Sequence, residues 1–326
     1  MYDAGFLSRL ETRLRGALPE WGLGPDAPLK LLTISENATF LAHAEDGTPI
    51  VFRVHRPDYH TQDEIRSELD WVSALRADGV AATPEPMIRK DGGLLGAFED
   101  EGETRHVAAF EFMSGKEPEP GDDLAAWYRI LGRITARLHG HVREWPATPG
   151  FRRKTWDFDT TIGATPLWGD WREGLGLDDA GRALIQRAAD RLRDELSAYG
   201  ASGEKVGLIH CDLRPANLLV DGDRLAVIDF DDCGFSWFMY DFAAAVSFME
   251  HEPFIPELLD AWLAGYETVT PVSAEDRAIL PSLMMLRRIQ LTAWIASHAE
   301  TPMAQSMGVP YTHGTLALAE RYLSTR

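Results

Sequence analysis

Four residues in the second half of the chain have the types and the spacing that phosphoryl transfer requires. His210, Asp212 and Asn217 fit the pattern His-x-Asp-x-x-x-x-Asn, and Asp229 follows within Ile-Asp-Phe. The transfer needs a carboxylate near the attacking hydroxyl, and Mg²⁺ needs hard oxygen ligands that leave room for phosphate oxygens. Asp212 suits the first task, whereas Asn217 and Asp229 suit the second. His210 is better suited to holding the loop than to carrying a proton.

The alternative interpretation is that Asp212 and Asn217 are turn residues around Pro215 and that Asp229 caps a strand. Any one of these residues alone would favour that alternative. A hairpin predicted at 218–220 and 225–228, however, would return Asp229 to the same edge as Asn217. Because the order, the spacing and the hairpin agree, the sequence favours the catalytic interpretation.

The surrounding pattern divides the chain into a strand-rich first third and a helical remainder. Strands are predicted at 29–34, 39–44, 49–54, 87–88, 94–98 and 105–113. Apolar residues at three- and four-residue spacing predict helices at 62–78, 122–141, 178–199, 239–250, 255–266, 274–298 with a break at Pro281, and 315–323. A loop at 116–121, rich in proline and acid, looks like a hinge. The arrangement predicts an α+β protein.

With these motifs the chain resembles the aminoglycoside phosphotransferase and choline kinase superfamily, and within it the bacterial branch that includes stress-response kinase A and homoserine kinase. The resemblance implies a bilobal protein-kinase-like fold, with a small antiparallel-sheet N-lobe over residues 1–113 and a larger, mainly helical C-lobe over 114–326. It also implies ATP and Mg²⁺ as cofactors. By this likeness Asp212 is the catalytic base, Asn217 and Asp229 are magnesium ligands, and Asp241, in Tyr-Asp-Phe-Ala, braces the catalytic loop together with His210.

Two further residues are accessory candidates in the C-lobe. Asp231 and Asp232 extend Asp229 into Asp-Phe-Asp-Asp, which is similar to the acidic run of the stress-response branch. Asp231 is therefore a candidate second metal ligand, and the alternative is that both acids are solvated turn residues. Arg214, inside the catalytic loop, is the other accessory candidate.

The resemblance also implies nucleotide-binding residues in the N-lobe. Arg53 stands where the family has a basic residue that contacts the phosphates, and Glu68 stands where a helix glutamate pairs with it; the alternative is a surface arginine paired with an acid. No glycine-rich loop is present, and Ser35 and Asn37 stand at the first hairpin, where the family often has a polar turn over the phosphates. The segment from Phe110 to Met113 resembles the hinge that receives the base, which adds Glu111 and Met113, unless it is an ordinary core strand.

Composition limits the partners and the location. The chain of 326 residues has 32 basic and 51 acidic residues, which would repel a nucleic-acid backbone. The apolar runs are too short to cross a bilayer and the start lacks the features of a secretory signal, so the expected location is the cytoplasm. Two cysteines, Cys211 and Cys233, are expected to be free thiols. An acidic surface would favour cationic substrates, although solubility is the simpler explanation.

Other features of the helical part are open to two interpretations. The segments 155–159 and 167–171 combine tryptophans with acids, which could hold an amine or merely anchor an irregular connection. A stripe on one long helix could close a pocket or belong to the core, and it comprises Met284, Leu286, Arg287, Gln290 and Trp294. His139 and His141 are predicted to be helix-end residues rather than a metal pair.

These observations favour a kinase that phosphorylates a hydroxyl of a small molecule, namely an amino sugar, an amino alcohol or an amino acid. A protein Ser/Thr kinase of the stress-response kinase A type is the alternative. A non-catalytic nucleotide-binding regulator is disfavoured because Asp212, Asn217 and Asp229 are all intact. The sequence assigns neither an oligomeric state nor the identity of the phosphate acceptor.

Overall fold

The structure of the protein is a computed structural model, and it describes residues 4–34, 37–119 and 121–325. Its chain divides into two compact units. The first extends to Gly115 and includes the later segment Pro146–Arg153, and the second comprises Lys116–Trp145 and the chain from Lys154 onward. A lobe boundary between residues 113 and 114 stays a prediction.

The first unit is built on an antiparallel sheet of five strands. Its elements are α1 (Ala4–Ala17), β1 (Leu29–Ile34), β2 (Ala38–His43), β3 (Pro49–Val54), α2 (Gln62–Ala77), β4 (Leu95–Asp100) and β5 (Glu103–Glu111). The strand order is β1-β2-β3-β5-β4. Alternate residues of β2, including Phe40, are buried, as a strand with one face on a core requires. Residues 87–88, predicted to be a strand, form no named strand.

Helices cover this sheet with apolar side chains. Leu10 and Leu14 of α1 belong to the same buried cluster as Phe40 and Phe52. The sequence pattern did not predict α1. The start of α2 is a capping box, in which Thr61 and Glu64 each accept a hydrogen bond from the other's backbone nitrogen.

The second unit is mainly helical, with two short antiparallel strand pairs. Its elements are α3 (Leu124–Glu144), α4 (Phe158–Thr161), α5 (Asp179–Tyr199), β6 (Val206–Ile209), β7 (Leu218–Asp221), β8 (Arg224–Val227), β9 (Gly234–Trp237), α6 (Tyr240–Ala245), α7 (Ile255–Tyr266), α8 (Ala274–Ser297) and α9 (Pro302–Ser324). Strand β6 pairs with β9, and β7 pairs with β8 as predicted. The sequence did not predict β9.

Two glycines let α3 and α7 approach closely. A Cβ atom on Gly132 would lie 2.0 Å from the carbonyl oxygen of Trp262, and one on Gly265 would lie 1.8 Å from that of Arg129. Any larger residue at either position would force the helices apart. This contact brings the end of α7 against α3, and there Tyr266 of α7 contacts His139 of α3.

Among the predicted helices, α6, α8 and α9 differ most from the prediction. Helix α8 continues through Pro281 because the residues around the proline are buried and hold the helix by packing. Helix α6 is shorter than predicted, and Phe248 beyond it has φ 70°, which is incompatible with a right-handed helix. Helix α9 begins earlier than predicted and is kinked at Gly308, where φ is 46°. Among the helices of the described residues, none has the length and hydropathy needed to span a membrane.

Candidate active site

Strand β6 leads into a loop, residues 210–217, whose backbone is hydrogen-bonded to the side chain of Asp241. Asp241 is fully buried in the first turn of α6. Its Oδ1 accepts a hydrogen bond from the backbone nitrogen of Cys211 at 2.8 Å, and its Oδ2 accepts one from that of His210 at 3.4 Å. Cys211 has φ 66°, a left-handed conformation that is uncommon and costly for a residue with a side chain. The carboxylate thus stabilises a strained loop.

His210 uses both ring nitrogens to hold the same loop. Its Nδ1 lies 3.2 Å from the backbone nitrogen of Asp212, so Nδ1 accepts that hydrogen bond. The proton is therefore on Nε2, which donates to the carbonyl oxygen of Ile228 at 3.1 Å. The ring also packs against Phe230, with centroids 4.4 Å apart. The side chain therefore links the loop to the chain that enters Asp229.

The carboxylate of Asp212 receives hydrogen bonds from three side chains. Oδ1 accepts from Nη2 of Arg287 at 2.5 Å. Oδ2 accepts from Nδ2 of Asn217 at 2.7 Å and from Nε of Arg214 at 3.2 Å. Two of these donors are cationic, so the arrangement stabilises an ionised carboxylate in a nearly buried position.

Charge and burial act in opposite directions on Asp212. Burial by itself raises the pKa of this carboxyl. The nearby guanidinium groups of Arg214 and Arg287, together with His210, lower the pKa by more than burial raises it, so the net pKa lies below its ordinary value of 3.8. Asp212 is therefore ionised at neutral pH. Its role can be to accept a hydrogen bond from a hydroxyl and then its proton.

Asn217 and Asp229 present oxygen atoms of the kind that Mg²⁺ prefers. The amide nitrogen of Asn217 faces Asp212, which leaves the side-chain oxygen directed elsewhere. Its backbone oxygen accepts from Ile228, so the chain is tied at the residue before Asp229. Asp229 is exposed and has φ 60°.

This donor set suits a metal that is bound together with a nucleotide. Among residues 4–34, 37–119 and 121–325, no three His, Cys, Asp or Glu side chains cluster as a metal site. Mg²⁺ is commonly bound by one or two carboxylates together with substrate phosphates. One amide oxygen and one carboxylate therefore fit Mg²⁺ as part of a metal–nucleotide complex.

The accessory candidates next to the site are buried or lie against Asp212. Asp231 and Asp232 are both buried, so their interpretation as solvated turn acids was wrong. The carbonyl oxygen of Asp232 accepts a hydrogen bond from the indole of Trp156 at 3.0 Å. Arg214 lies against Asp212 and also approaches the face of the Phe248 ring at 6.0 Å.

The prediction of His139 as a helix-end residue was wrong. The side chain is fully buried in α3, which continues to Glu144. Its Nε2 lies 3.0 Å from Oδ2 of Asp241, and its Nδ1 lies 2.9 Å from the hydroxyl of Tyr266. Burial lowers the pKa of His139, although Asp241 opposes this effect. In the sequence, the only sign that His139 is buried was its position four residues after Thr135, which places both residues on the same face of the helix.

Arg287 is the other residue whose position the sequence left open. It lies on α8 and is 1% exposed. Besides Asp212, its guanidinium contacts Ser247 through Nε at 2.9 Å and the oxygen of Gln290 through Nη1 at 3.3 Å. The interpretation of Arg287 as part of an apolar core stripe was therefore incomplete, because its charged guanidinium is buried in the core and paired with Asp212.

The tryptophans of the two aromatic segments are buried. Trp156 and Trp171 are each 1% exposed, and Trp156 packs edge-on against Trp168 with centroids 5.2 Å apart. Trp168 in turn faces the guanidinium of Arg287 at 4.9 Å. These side chains anchor the connection, and Trp168 also lines one side of the cation next to Asp212.

In the first unit, Arg53 and Glu68 form a buried ion pair. Nη2 of Arg53, on β3, lies 2.5 Å from Oε1 of Glu68, on α2. The guanidinium also lies 5.0 Å from the centre of the Phe110 ring. Because both charged residues are buried, the alternative of a surface arginine was wrong. Their contact with a nucleotide stays a prediction.

The other predicted nucleotide-binding residues are spread over the same unit. Oδ1 of Asn37 accepts from the backbone nitrogen of Arg56 at 3.1 Å, while Ser35 lies outside the described residues. Glu111 ends β5, and its carboxylate pairs with Arg76 at 2.8 Å. Met113 follows in the segment after β5 and is half-buried. Their roles stay predictions too.

The profile of the family described as "Phosphotransferase enzyme family" matches residues 31–278, which is most of the chain and includes the whole loop from His210 to Asp229. The chain belongs to this phosphotransferase family. The match confirms the resemblance that the catalytic-loop motif indicated.

Three proteins to which the chain is similar are named as kinases of small molecules. The solved structure of a microcompartment-associated aminopropanol kinase is 42% identical, has a TM-score of 0.88 and covers 95% of this chain and 97% of that one. Amicoumacin kinase of Bacillus subtilis (strain 168) is 22% identical over 290 residues, which are 86% of this chain and 82% of the relative. Homoserine kinase of Rhizobium etli (strain CIAT 652) is 29% identical over 255 residues, 76% of this chain and 73% of the relative.

These likenesses confirm the predicted kinase-like α+β fold. They also confirm that this member of the phosphotransferase family is an enzyme, a kinase with an alcohol group as acceptor and a small molecule as substrate.

Proposed function

We propose that the enzyme transfers the γ-phosphate of ATP, in the presence of Mg²⁺, to the hydroxyl of a short amino alcohol of the aminopropanol type. The observation that carries the proposal is the ionised Asp212, held in a strained loop by hydrogen bonds from Arg214, Asn217 and Arg287. The choice of acceptor is supported by the aminopropanol kinase, which is 42% identical over nearly the whole chain.

In the proposed reaction, the acceptor hydroxyl donates a hydrogen bond to Asp212. As its oxygen attacks the γ-phosphorus, the O–H bond breaks and the proton passes to Asp212, a new P–O bond forms, and the bond to the β-phosphate oxygen breaks to release ADP. Asn217 and Asp229 would hold Mg²⁺, which neutralises phosphate charge when it is bound. Positioning of the hydroxyl by Asp212 supplies much of the effect, because phosphoryl transfer is catalysed mainly through orientation and charge.

The nucleotide would be held by residues of the first unit. Arg53 would contact the phosphates, with Glu68 fixing the direction of its guanidinium through the buried ion pair. The backbone between Glu111 and Met113 would receive the base. Ser35 and Asn37 would contribute polar contacts near the phosphates.

A small acceptor is preferred over a protein acceptor because the three relatives described above are all named for small-molecule acceptors. The acidic chain, with 51 acidic against 32 basic residues, also favours a cationic acceptor over an anionic one.

The test is a phosphorylation assay with ATP and Mg²⁺ against 1-amino-2-propanol, 2-amino-1-propanol, 3-amino-1-propanol, ethanolamine and homoserine. Propane-1,2-diol is the matched acceptor that keeps the hydroxyl and lacks the amine. We expect the highest kcat/KM with one of the aminopropanols, with the phosphorylated product identified by ³¹P NMR. Phosphorylation of the diol at a similar rate, or of none of the amines, would overturn the acceptor assignment.

An Asp212→Asn variant tests the chemistry separately. Loss of the general base lowers turnover by about 10²–10⁴. ADP release should fall by that factor, whereas binding of Mg²⁺–ATP, measured by calorimetry, should persist. Unchanged turnover would remove Asp212 from the mechanism.

A further inference from the structure

The hydrogen bonds to Asp212 leave one acceptor position on its carboxylate. An ionised carboxylate has about four acceptor positions, two on each oxygen. Asn217 and Arg214 both donate to Oδ2, which fills that oxygen. Arg287 alone donates to Oδ1, at 2.5 Å. Among the described residues no other donor reaches the carboxylate, so the remaining position lies on Oδ1, beside Arg287.

Asp212 and Arg287 differ in their exposure to solvent. The side chain of Asp212 is 12% exposed, whereas that of Arg287 is 2% exposed. A substrate hydroxyl can therefore reach the carboxylate but not most of the guanidinium. Arg287 therefore acts on the reaction through Asp212, by its charge and by its control of the orientation of the carboxylate.

The guanidinium itself is held from several sides. Nε donates to Oγ of Ser247, and Nη1 lies within reach of the Tyr240 hydroxyl at 3.4 Å and of the Gln290 oxygen at 3.3 Å. The ring of Trp168 lies against it at 4.9 Å. A guanidinium is planar, so fixing Nε and Nη1 fixes the direction in which Nη2 points.

We propose that Arg287 is a positioning residue that turns Asp212 so that Oδ1, and not Oδ2, accepts the hydroxyl of the phosphate acceptor. This inference rests on the proposed function, in which Asp212 receives the hydroxyl proton. Without Arg287, both positions on Oδ1 are open and the carboxylate loses one of its three anchors. The hydroxyl then binds in several directions, of which only some are aligned with the phosphorus.

The test is a double-mutant cycle between Asp212→Asn and Arg287→Gln. A misplacement of about 1 Å at a reacting group can lower the rate about 10²-fold. We expect Arg287→Gln to lower kcat by about 10–10²-fold when Asp212 is present, with the KM for ATP changed little. In the Asp212→Asn background it should lower kcat less than about threefold, because the group that it positions no longer accepts the proton.

Two further variants separate positioning from stability. Arg288→Gln is the matched control, since Arg288 is the next residue on α8, is equally buried and pairs with Glu250 rather than with Asp212. It should lower the melting temperature at least as much as Arg287→Gln does and lower kcat far less. If Arg287→Gln does not fold, Arg287→Lys takes its place in the cycle, because lysine keeps the buried charge but cannot hold Ser247 and Asp212 together.

Each outcome of the cycle either supports the proposal or overturns it. A large effect of the Arg287 variant that disappears in the Asp212→Asn background supports the proposal. An equal effect in both backgrounds, or an unchanged kcat in a folded variant, overturns it. If Asp212→Asn itself leaves turnover unchanged, the proposed role of Asp212 fails first, and the positioning role falls with it.

Discussion

The carboxylate of Asp241 lies 2.8 Å from the backbone nitrogen of Cys211 and 3.0 Å from Nε2 of His139, so one fully buried acid joins the catalytic loop to the middle of α3. The two contacts span 30 and 102 residues of sequence. Because Cys211 is in a left-handed conformation, the loop would relax without this acceptor.

Replacement of Asp241 by Asn should therefore cost both stability and activity. An amide has one acceptor oxygen where the carboxylate has two, so at least one buried donor loses its acceptor, which costs about 1–3 kcal/mol. Urea unfolding should show a loss of that size, and kcat should fall even where the variant is folded. Asp190→Asn, at an exposed position on α5, is the control and should change neither quantity. A stable Asp241→Asn enzyme with normal turnover would contradict this role.

The buried His139 predicts a specific dependence of stability on pH. Its pKa is lowered in the folded protein, so between that pKa and the ordinary value of 6.5 the unfolded chain binds a proton that the folded chain does not. The free energy of unfolding should therefore fall as the pH drops below about 6.5, by at most about 1.4 kcal/mol per pH unit for this group. Above that pH, the residue should contribute no slope.

The contribution of His139 is measured by chemical denaturation of the wild type and of His139→Gln. The measurements run from pH 5 to pH 8, a range of about three units around the histidine pKa. The difference between the two free energies should vary with pH only below about 6.5. His313→Gln, in the distant helix α9, is the control. Parallel curves for wild type and His139→Gln over the whole range would show that His139 does not carry the dependence.

Replacement of Asp229 by Asn should weaken the use of Mg²⁺. The amide keeps the size of the side chain but removes the charge that attracts the ion. The Mg²⁺ concentration for half-maximal activity should rise by about tenfold or more, which corresponds to about 1.4 kcal/mol. Asp223→Asn, exposed in the turn between β7 and β8, should leave it unchanged. An Asp229→Asn enzyme with the wild-type magnesium dependence would remove Asp229 from the metal site.

The nucleotide role of Arg53 can be separated from its structural role by a comparison of two variants. Arg53→Lys keeps a cation for the phosphates and for Glu68, so the KM for ATP should rise less than it does in Arg53→Met. Arg53→Met removes the cation and should raise that KM by about tenfold or more, the loss expected for one charge-assisted hydrogen bond. It should also destabilise the first unit, because Glu68 is left buried without its ion pair.

Arg66→Met is the control for this pair, since Arg66 is exposed on α2 and lies 3.9 Å from Asp63. Its KM for ATP should equal that of the wild type. If Arg53→Met is folded and its KM for ATP is also normal, Arg53 serves only the packing of β3 against α2.

Local patterns predicted most of the elements that carry the site. The bounds of β1, β3 and α7 agree with the prediction, and the hairpin of β7 and β8 agrees within a residue at each end. These elements were predictable because alternation, helical spacing and an Asp-Gly turn act between neighbours in the sequence. Helix α1 and the passage of α8 through Pro281 were not predictable, because each depends on apolar contacts with distant parts of the chain.

By itself, the sequence determined the chemistry of this protein: the order and spacing of His210, Asp212, Asn217 and Asp229 predicted a phosphotransferase, and the family match confirmed it. Only the tertiary structure decided what surrounds Asp212. Arg287 is 75 residues away in the chain, and its charge is buried among side chains of α6, α8 and the segments outside these helices. No local pattern distinguishes such an arginine from a solvated one, because its partner is selected by packing and by the need to neutralise a buried charge.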